Sequence, residues 1–125
     1  MATIALQRLQ TGRDGPLALF LWETLTATNN VGARVFVGHR PGKSVQVIGT
    51  FGGAVTIRGS NVLDADVTVA AHWFSLTDPT QTTISLTAAG GKEILESCLW
   101  VSPAAAAGVT DVDVYLLASS ARSRG

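Results

Sequence analysis

The segment 44–61, SVQVIGTFGGAVTIRGSN, constrains the fold of this chain more than any other stretch. Apolar and polar residues alternate on both sides of a Phe-Gly-Gly corner, which is the period of a β-strand with one buried face. Gly52 and Gly53 can adopt the positive φ angles of a tight turn. The segment therefore predicts a β-hairpin in which Val45 and Val47 face the core.

Similar short runs recur along the rest of the chain, and no stretch keeps a helical period. The only candidate for a helical turn is 92–97, which follows a Gly-Gly break. Pro103 is expected to end the strand before it, and the alanines after it to form a loop. Strand-like runs cover 17–28, 34–38, 44–51, 55–58, part of 62–72 around Val67 and Val69, 73–77, 82–88, 99–101 and 110–118.

About eight short antiparallel strands joined by Gly, Pro and Asn turns are typical of a β-sandwich or jelly roll. A chain of 125 residues is long enough to bury a core without disulfides or metals. We therefore predict an all-β, single-domain protein with an N-terminal arm (1–16), a sandwich domain (17–118) and a disordered C-terminal tail (119–125).

The charge balance argues against several classes of partner. Nine basic and nine acidic residues cancel, so there is no electrostatic footprint for nucleic acid or for an anionic membrane. The apolar run LALFLW is too short to span a bilayer, and the first sixteen residues lack the apolar core of a signal peptide. Cys98 is the only cysteine, so no internal disulfide can form, which fits a chain made in a reducing cytosol.

The residues that could bind a metal give a weak pattern. His39 and His72 are the only imidazoles, and only His72 has carboxylates nearby in sequence, at Asp64 and Asp66. Alternating carboxylates on a strand are more often a solvated face than a metal site. We therefore expect no metal and no cofactor.

No arrangement typical of a hydrolase is present in the sequence. There is no Gly-x-Ser-x-Gly elbow, and Cys98 is flanked by apolar residues as an inert buried thiol would be. Asp111 and Asp113 alternate with valines, which explains them as the outer face of the last strand. The chain is therefore not expected to be an enzyme.

Three tryptophans leave a binding function open. Trp22, Trp73 and Trp100 could form a stacking platform for a glycan, as in a carbohydrate-binding module. Each also lies in or beside an apolar strand, so packing in the core or in an interface is favoured.

Several segments match one pattern of short strands and turns: Val45 to Gly53, Val55 to Asn61, Trp73 with Leu76, Asp78-Pro79, Thr87 to Gly90 and the closing strand Val112 to Leu117. In these segments the sequence resembles a family of small phage virion proteins described as head decoration, cement or stabilisation proteins. The likeness covers about two-thirds of the chain. Two features depart from the family pattern: 62–72 is a longer insertion, and Ser102-Pro103 replaces an Arg-Pro pair.

The resemblance implies a non-enzymatic protein that is made in the host cytoplasm and binds the outside of an icosahedral phage head. Its partner would be the major capsid protein, and it would act as a homotrimer that stabilises the expanded shell. Another virion role, in the tail or neck, is the alternative within phage proteins. We expect the capsid or subunit interface in the N-terminal arm, at Ile4, Leu6, Leu9 and Arg13.

Overall fold

The chain folds into β-strands joined by turns and irregular segments, as shown by a computed structural model that describes residues 3–4, 6–11 and 17–119, with side chains from 18 to 119. A single 3₁₀ turn, Ala70–His72, interrupts them. The strands are β1 (Thr3–Ile4), β2 (Leu6–Thr11), β3 (Leu17–Leu25), β4 (Val31–Gly32), β5 (Val35–Phe36), β6 (Gly42–Thr50), β7 (Val55–Ser60), β8 (Phe74–Ser75), β9 (Ser85–Leu86), β10 (Gly90–Ile94), β11 (Trp100–Ala105) and β12 (Asp111–Ser119). No helix in the described part of the chain has the length and apolar character needed to cross a membrane.

The strands form two sheets. The seven-stranded sheet has the order β1-β4-β11-β7-β8, with β5 also pairing with β11 and β9 with β7. The five-stranded sheet has the order β10-β6-β12-β3-β2. All the described strand pairs are antiparallel except the short β1–β4 pair, which is parallel. The predicted all-β class with a sandwich or jelly-roll architecture is confirmed, although several strands have only two residues and their number exceeds eight.

The core is built from the alternating residues that the sequence indicated. Val112, Val114 and Leu116 of β12 are fully buried, as are Val47 of β6 and Val55 of β7. Each such side chain contributes roughly 1.5–3 kcal/mol by leaving water, so the period-two pattern fixes which face of each strand points inward.

The predicted hairpin at 44–61 is wrong, because its two strands lie in different sheets. β6 pairs with β10 and β12, whereas β7 pairs with β8, β9 and β11. The glycines at the corner do not have positive φ; the described glycines that do are Gly49 and Gly108. A Cβ at Gly52 would overlap the carbonyl oxygen of Gly108, and one at Gly53 that of Ala107. The corner therefore needs glycine for close backbone packing rather than for a turn conformation.

Two further predictions near the C-terminal half are also wrong. The expected helical turn at 92–97 is replaced by strand β10, because Ile94 packs into the core and the segment pairs with β6. Strand β11 does not end at Pro103 but continues to Ala105. The Pro103 ring faces Gly32, where a Cβ would lie only 2.7 Å from Pro103 Cδ. Proline has no backbone N–H to donate, and Pro103 is tolerated within β11 because it lies opposite the interruption between the partner strands β4 and β5.

The two ends of the chain are described in part. The backbone of residues 3–4 pairs with β4, and that of 6–11 pairs with β3 at one edge of the five-stranded sheet. Strand β12 includes Ser119, one residue beyond the boundary expected for the sandwich. Residues 120–125 lie outside the described part of the chain.

Candidate functional site

The most distinctive feature of the surface is the segment 61–73, here called the outer loop. It covers the outer face of the seven-stranded sheet, the face opposite the core. The alternating strand expected around Val67 and Val69 is wrong: the segment consists of turns and the 3₁₀ turn. Valine, alanine and aspartate alternate here, but the segment pairs with no strand of the described part of the chain and is held in another way.

Side chains of the sheet and of the loop base hold the outer loop by its backbone carbonyls. Two tryptophan indoles and two arginine guanidinium groups donate to four carbonyl oxygens within five consecutive residues. The bonds run from Trp100 Nε1 to Leu63 O (3.2 Å), Arg34 Nη1 to Ala65 O (2.7 Å), Trp73 Nε1 to Asp66 O (2.8 Å) and Arg58 Nη1 to Val67 O (3.3 Å). They satisfy backbone groups that would otherwise lack partners, so the loop has a defined conformation.

Each arginine is also stacked on one of these tryptophans. The Arg34 guanidinium lies 4.2 Å from the ring centroid of Trp100, and that of Arg58 lies 4.8 Å from the ring centroid of Trp73. Arg58 donates in addition to the buried hydroxyl of Ser102 (2.8 Å), and burial lowers the pKa of its guanidinium. Cation–π contacts of this kind fix the orientation of both partners.

Polar contacts within the loop engage two of the residues that were considered as metal ligands, Asp66 and His72. Asp66 Oδ1 accepts hydrogen bonds from the backbone N–H (2.9 Å) and the hydroxyl (2.7 Å) of Thr68, which lower the pKa of Asp66. The Asp66 N–H donates to His72 Nδ1 (3.0 Å). Across the described residues, no three His, Cys, Asp or Glu side chains are arranged to hold a metal ion. His72 and Asp66 therefore act on the loop itself.

The outer loop presents apolar side chains to solvent. Leu63 is 80% exposed and Phe36, on the adjacent strand β5, is 45% exposed. Phe36 packs edge-on against Trp100 with ring centroids 5.4 Å apart, and Trp100 in turn bonds to the backbone of Leu63. We call Phe36, Leu63 and Trp100 the outer-loop surface. Apolar side chains that form a contiguous exposed patch can mark a site of protein contact.

A histidine and two arginines lie near the outer-loop surface. His39 stacks on Phe36 with ring centroids 5.4 Å apart, and its Nε2 accepts a hydrogen bond from Arg40 Nε (3.2 Å). Arg40 is only 5% exposed, and its Nη1 is buried without a hydrogen-bond partner. The ion pair found within residues 18–119 joins Lys92 to Asp78, and the charge of Arg34 helps to lower the pKa of Asp66.

The outer face of the five-stranded sheet is a second surface. A groove of about 570 Å³ lies along this face beside strand β10. Leu19, Tyr115 and Leu117 line it, together with Gly90 and Gly91, whose lack of side chains leaves it open. Lys92 and Glu93 add two charged side chains to its walls.

The tryptophans do not form the stacking platform that was considered for a glycan. Trp22 is completely buried, and its Nε1 donates to Ala33 O (2.8 Å). The indole N–H groups of Trp73 and Trp100 bind the outer loop, and an arginine covers one face of each ring. Packing, the favoured interpretation, accounts for all three residues.

The remaining candidates have structural roles. Cys98 is buried, its Sγ donates to Trp100 O (3.3 Å), and burial raises the pKa of the thiol, as expected for an inert cysteine. Asp113 Oδ1 accepts a hydrogen bond from the backbone N–H of Thr24 (2.9 Å), a residue with a positive φ of 59°. Asp113 therefore stabilises a rarely populated backbone conformation where strands β3 and β12 shift register.

The predicted interface residues of the N-terminal arm are only partly described. The backbone of Ile4 lies in β1 and that of Leu6 and Leu9 in β2, and Arg13 lies outside the described residues. Their role in an interface stays a prediction. Sequence reasoning did not identify the anchors Arg34 and Arg58, although Arg58 occupies an outward position between the buried residues Ile57 and Gly59.

Similarity to known proteins is limited to solved structures of low sequence identity. No family model and no curated protein matches the chain. Among solved structures it is similar to the Schizosaccharomyces pombe Cnp3 cupin domain, with 11% identity over 91% of this chain and a TM-score of 0.47, and it spans only 59% of that longer chain. It is also similar to the SPBc2 prophage-derived protein YomS (14% identity, 82% of this chain, 93% of that one, TM-score 0.48). A cupin domain from Bordetella pertussis has 8% identity, covering 95% of this chain and 96% of that one, with a TM-score of 0.44.

Proposed function

We propose that this chain is a structural protein of a phage particle that binds the outside of an icosahedral head and stabilises the expanded shell. The observation that most supports this role is the outer-loop surface, where Leu63 is 80% exposed at the tip of a loop held by four side-chain hydrogen bonds. A surface that is already ordered loses little conformational entropy on binding, so more of its apolar contact energy is retained as affinity.

The mechanism is mass action on the state of the shell. A protein that binds the expanded shell and not its dissociated subunits shifts the equilibrium toward the intact particle. A homotrimer would multiply modest contacts through avidity. This role needs no cofactor and no reacting group, only rigid surfaces of suitable shape.

The proposal is tested with purified virions and with heads stripped of this chain. We expect the chain in the head fraction at a fixed ratio to the major capsid protein. Adding the purified chain back should raise the temperature at which stripped heads release their DNA. Detection of the chain in the tail or neck fraction would favour the other virion role, and its absence from virions would reject both.

The interface predicted in the N-terminal arm can be tested in the same assay. Deleting the arm would remove β1 and β2 from the two sheets, so single substitutions are the better probe. Ile4→Ser, Leu6→Ser, Leu9→Ser and Arg13→Gln should each weaken binding to stripped heads if this arm contacts the shell. Wild-type affinity in all four variants would place the contact elsewhere.

A further inference from the structure

We propose that the outer loop is a proton-sensitive element, in which neutral His72 fastens the backbone at Asp66 and protonated His72 releases it. The device lies within the isolated chain, so it is independent of the proposed function. Its consequence is that the order of the outer loop depends on pH.

The fastening is a hydrogen bond that only a neutral imidazole can make. The backbone N–H of Asp66 donates to His72 Nδ1 at 3.0 Å. A backbone N–H is only a donor, so Nδ1 must present its lone pair, and the ring proton of neutral His72 is then on Nε2. Protonation places a hydrogen on Nδ1 as well, so that two donors face each other and the bond cannot persist.

The position of this bond makes it important for the loop. His72 is the last residue of the 3₁₀ turn, and its ring reaches back over the turn to Asp66. The carbonyl oxygen of Asp66 accepts from Trp73 Nε1 (2.8 Å) and from the N–H of Val69 (3.0 Å). Asp66 is therefore held on both sides of its backbone. Neither the indole nor the backbone N–H titrates, which leaves His72 as the proton-sensitive contact of this set.

The charges that face His72 act in the same direction as the lost bond. After the Thr68 hydrogen bonds, the charges of His72 and Arg34 also lower the pKa of Asp66, so an imidazolium here is attracted to the Asp66 carboxylate. That attraction draws the protonated ring toward the carboxylate and away from the N–H. The guanidinium of Arg58, stacked on Trp73, adds a positive charge beside the turn and would repel the imidazolium.

The proton therefore binds the two states of the loop with different affinity. In the fastened state it would meet the N–H of Asp66, whereas in the released state it can be shared with the carboxylate of the same residue. A ligand that binds one state better shifts the equilibrium toward that state, and the proton acts here as such a ligand. Histidine side chains ordinarily change charge between about pH 5 and 8, which gives the range in which release is expected.

The test measures amide hydrogen exchange of the isolated chain at pH 7.5 and pH 5.5, with each rate divided by the intrinsic rate at that pH. The protection of the Asp66 amide should fall about tenfold at pH 5.5, because its acceptor is lost. The Thr82 amide is the internal control. It donates to the Asp78 carboxylate (3.1 Å), whose pKa of about 2 keeps it charged over this range, so its protection should not change.

Two variants of His72 separate the proton from the fold. His72→Asn offers an amide oxygen in place of Nδ1 and does not titrate, so the protection of the Asp66 amide should be the same at both pH values. His72→Phe removes the acceptor and should show low protection already at pH 7.5. Equal protection at both pH values in the wild type, or a fall of the same size in His72→Asn, would overturn the proposal.

Discussion

Asp78 shows how a single side chain stabilises an irregular segment. Its Oδ1 accepts hydrogen bonds from the hydroxyl (2.6 Å) and N–H (2.9 Å) of Thr80 and from the N–H of Thr82 (3.1 Å), and its Oδ2 lies 3.4 Å from Lys92 Nζ. These contacts, led by the Thr80 hydroxyl, lower the pKa of Asp78 from 3.8 to about 2. The turn that follows Asp78-Pro79 is built around this carboxylate.

The lowered pKa of Asp78 predicts a loss of stability in acid. A carboxyl whose pKa is lower in the folded state stabilises the fold fully above its unfolded pKa of about 4, and this contribution disappears as the pH falls toward 2. We expect the unfolding temperature of the wild type to fall between pH 4 and pH 2. Asp78→Asn, which keeps an acceptor oxygen but cannot titrate, should fall less over the same range. Parallel curves for the two proteins would contradict this assignment.

The glycine corner between β6 and β7 gives a second prediction, on packing. A Cβ at Gly52 would overlap the Gly108 carbonyl oxygen, whereas a Cβ at Gly90 would have no neighbour closer than 3.9 Å. Gly52→Ala should therefore destabilise the protein by about 1–3 kcal/mol through overpacking. Gly90→Ala should change stability by less than about 1 kcal/mol, since neither position has positive φ. Urea unfolding of both variants measures the difference, and equal stability would mean that the corner can relax.

The outer loop supplies a prediction at the level of a whole segment. Arg58 joins the loop to strand β11 through Val67 O and Ser102 Oγ. Arg58→Met keeps the length of the side chain but leaves both acceptors without their donor, so we expect a loss of about 1–3 kcal/mol. Hydrogen exchange should rise in 61–73 while β12 stays protected; uniform exchange in both segments would show that the loop is not a separate unit.

The period-two pattern predicted the strands and their buried faces but not their partners. In β12 the alternation of valine and leucine with polar residues was sufficient to predict the strand and its buried face, because it determines which side chains point into the core. In 44–61 the same pattern was interpreted as one hairpin, since alternation is equally compatible with two strands in different sheets. Strand β10 was missed because Gly90-Gly91 is a typical breaker, and only pairing with β6 makes it a strand.

The candidate site was predictable only in fragments. Trp73 and Trp100 were singled out as large aromatics, and 62–72 as an insertion, but nothing in the sequence connects these residues. Their association depends on strands β5, β7 and β11 being neighbours in one sheet, which is a property of the topology. The arginines were overlooked because an outward arginine on a strand is usually a solvated residue.

The molecule as a whole is a sandwich with an apolar outer-loop surface on one side and an open groove on the other. If it acts as a homotrimer of the 13.0 kDa chain, sedimentation equilibrium should give a mass of about 39 kDa. The Leu117→Ser and Leu63→Ser variants would show which face joins the copies, since only the interface variant should sediment as a lighter species. A monomeric mass at all concentrations would reject the trimer and leave single-copy binding to the shell.

The attachment of the outer loop has a consequence for engineering. Its donors are the side chains of Arg34, Arg58, Trp73 and Trp100, whereas its acceptors are main-chain oxygens, which every amino acid possesses. The residues at 63 and 64 could therefore be replaced without losing the attachment points. The fold would then serve as a scaffold that displays a foreign peptide in the outer loop, in place of residues 63 and 64.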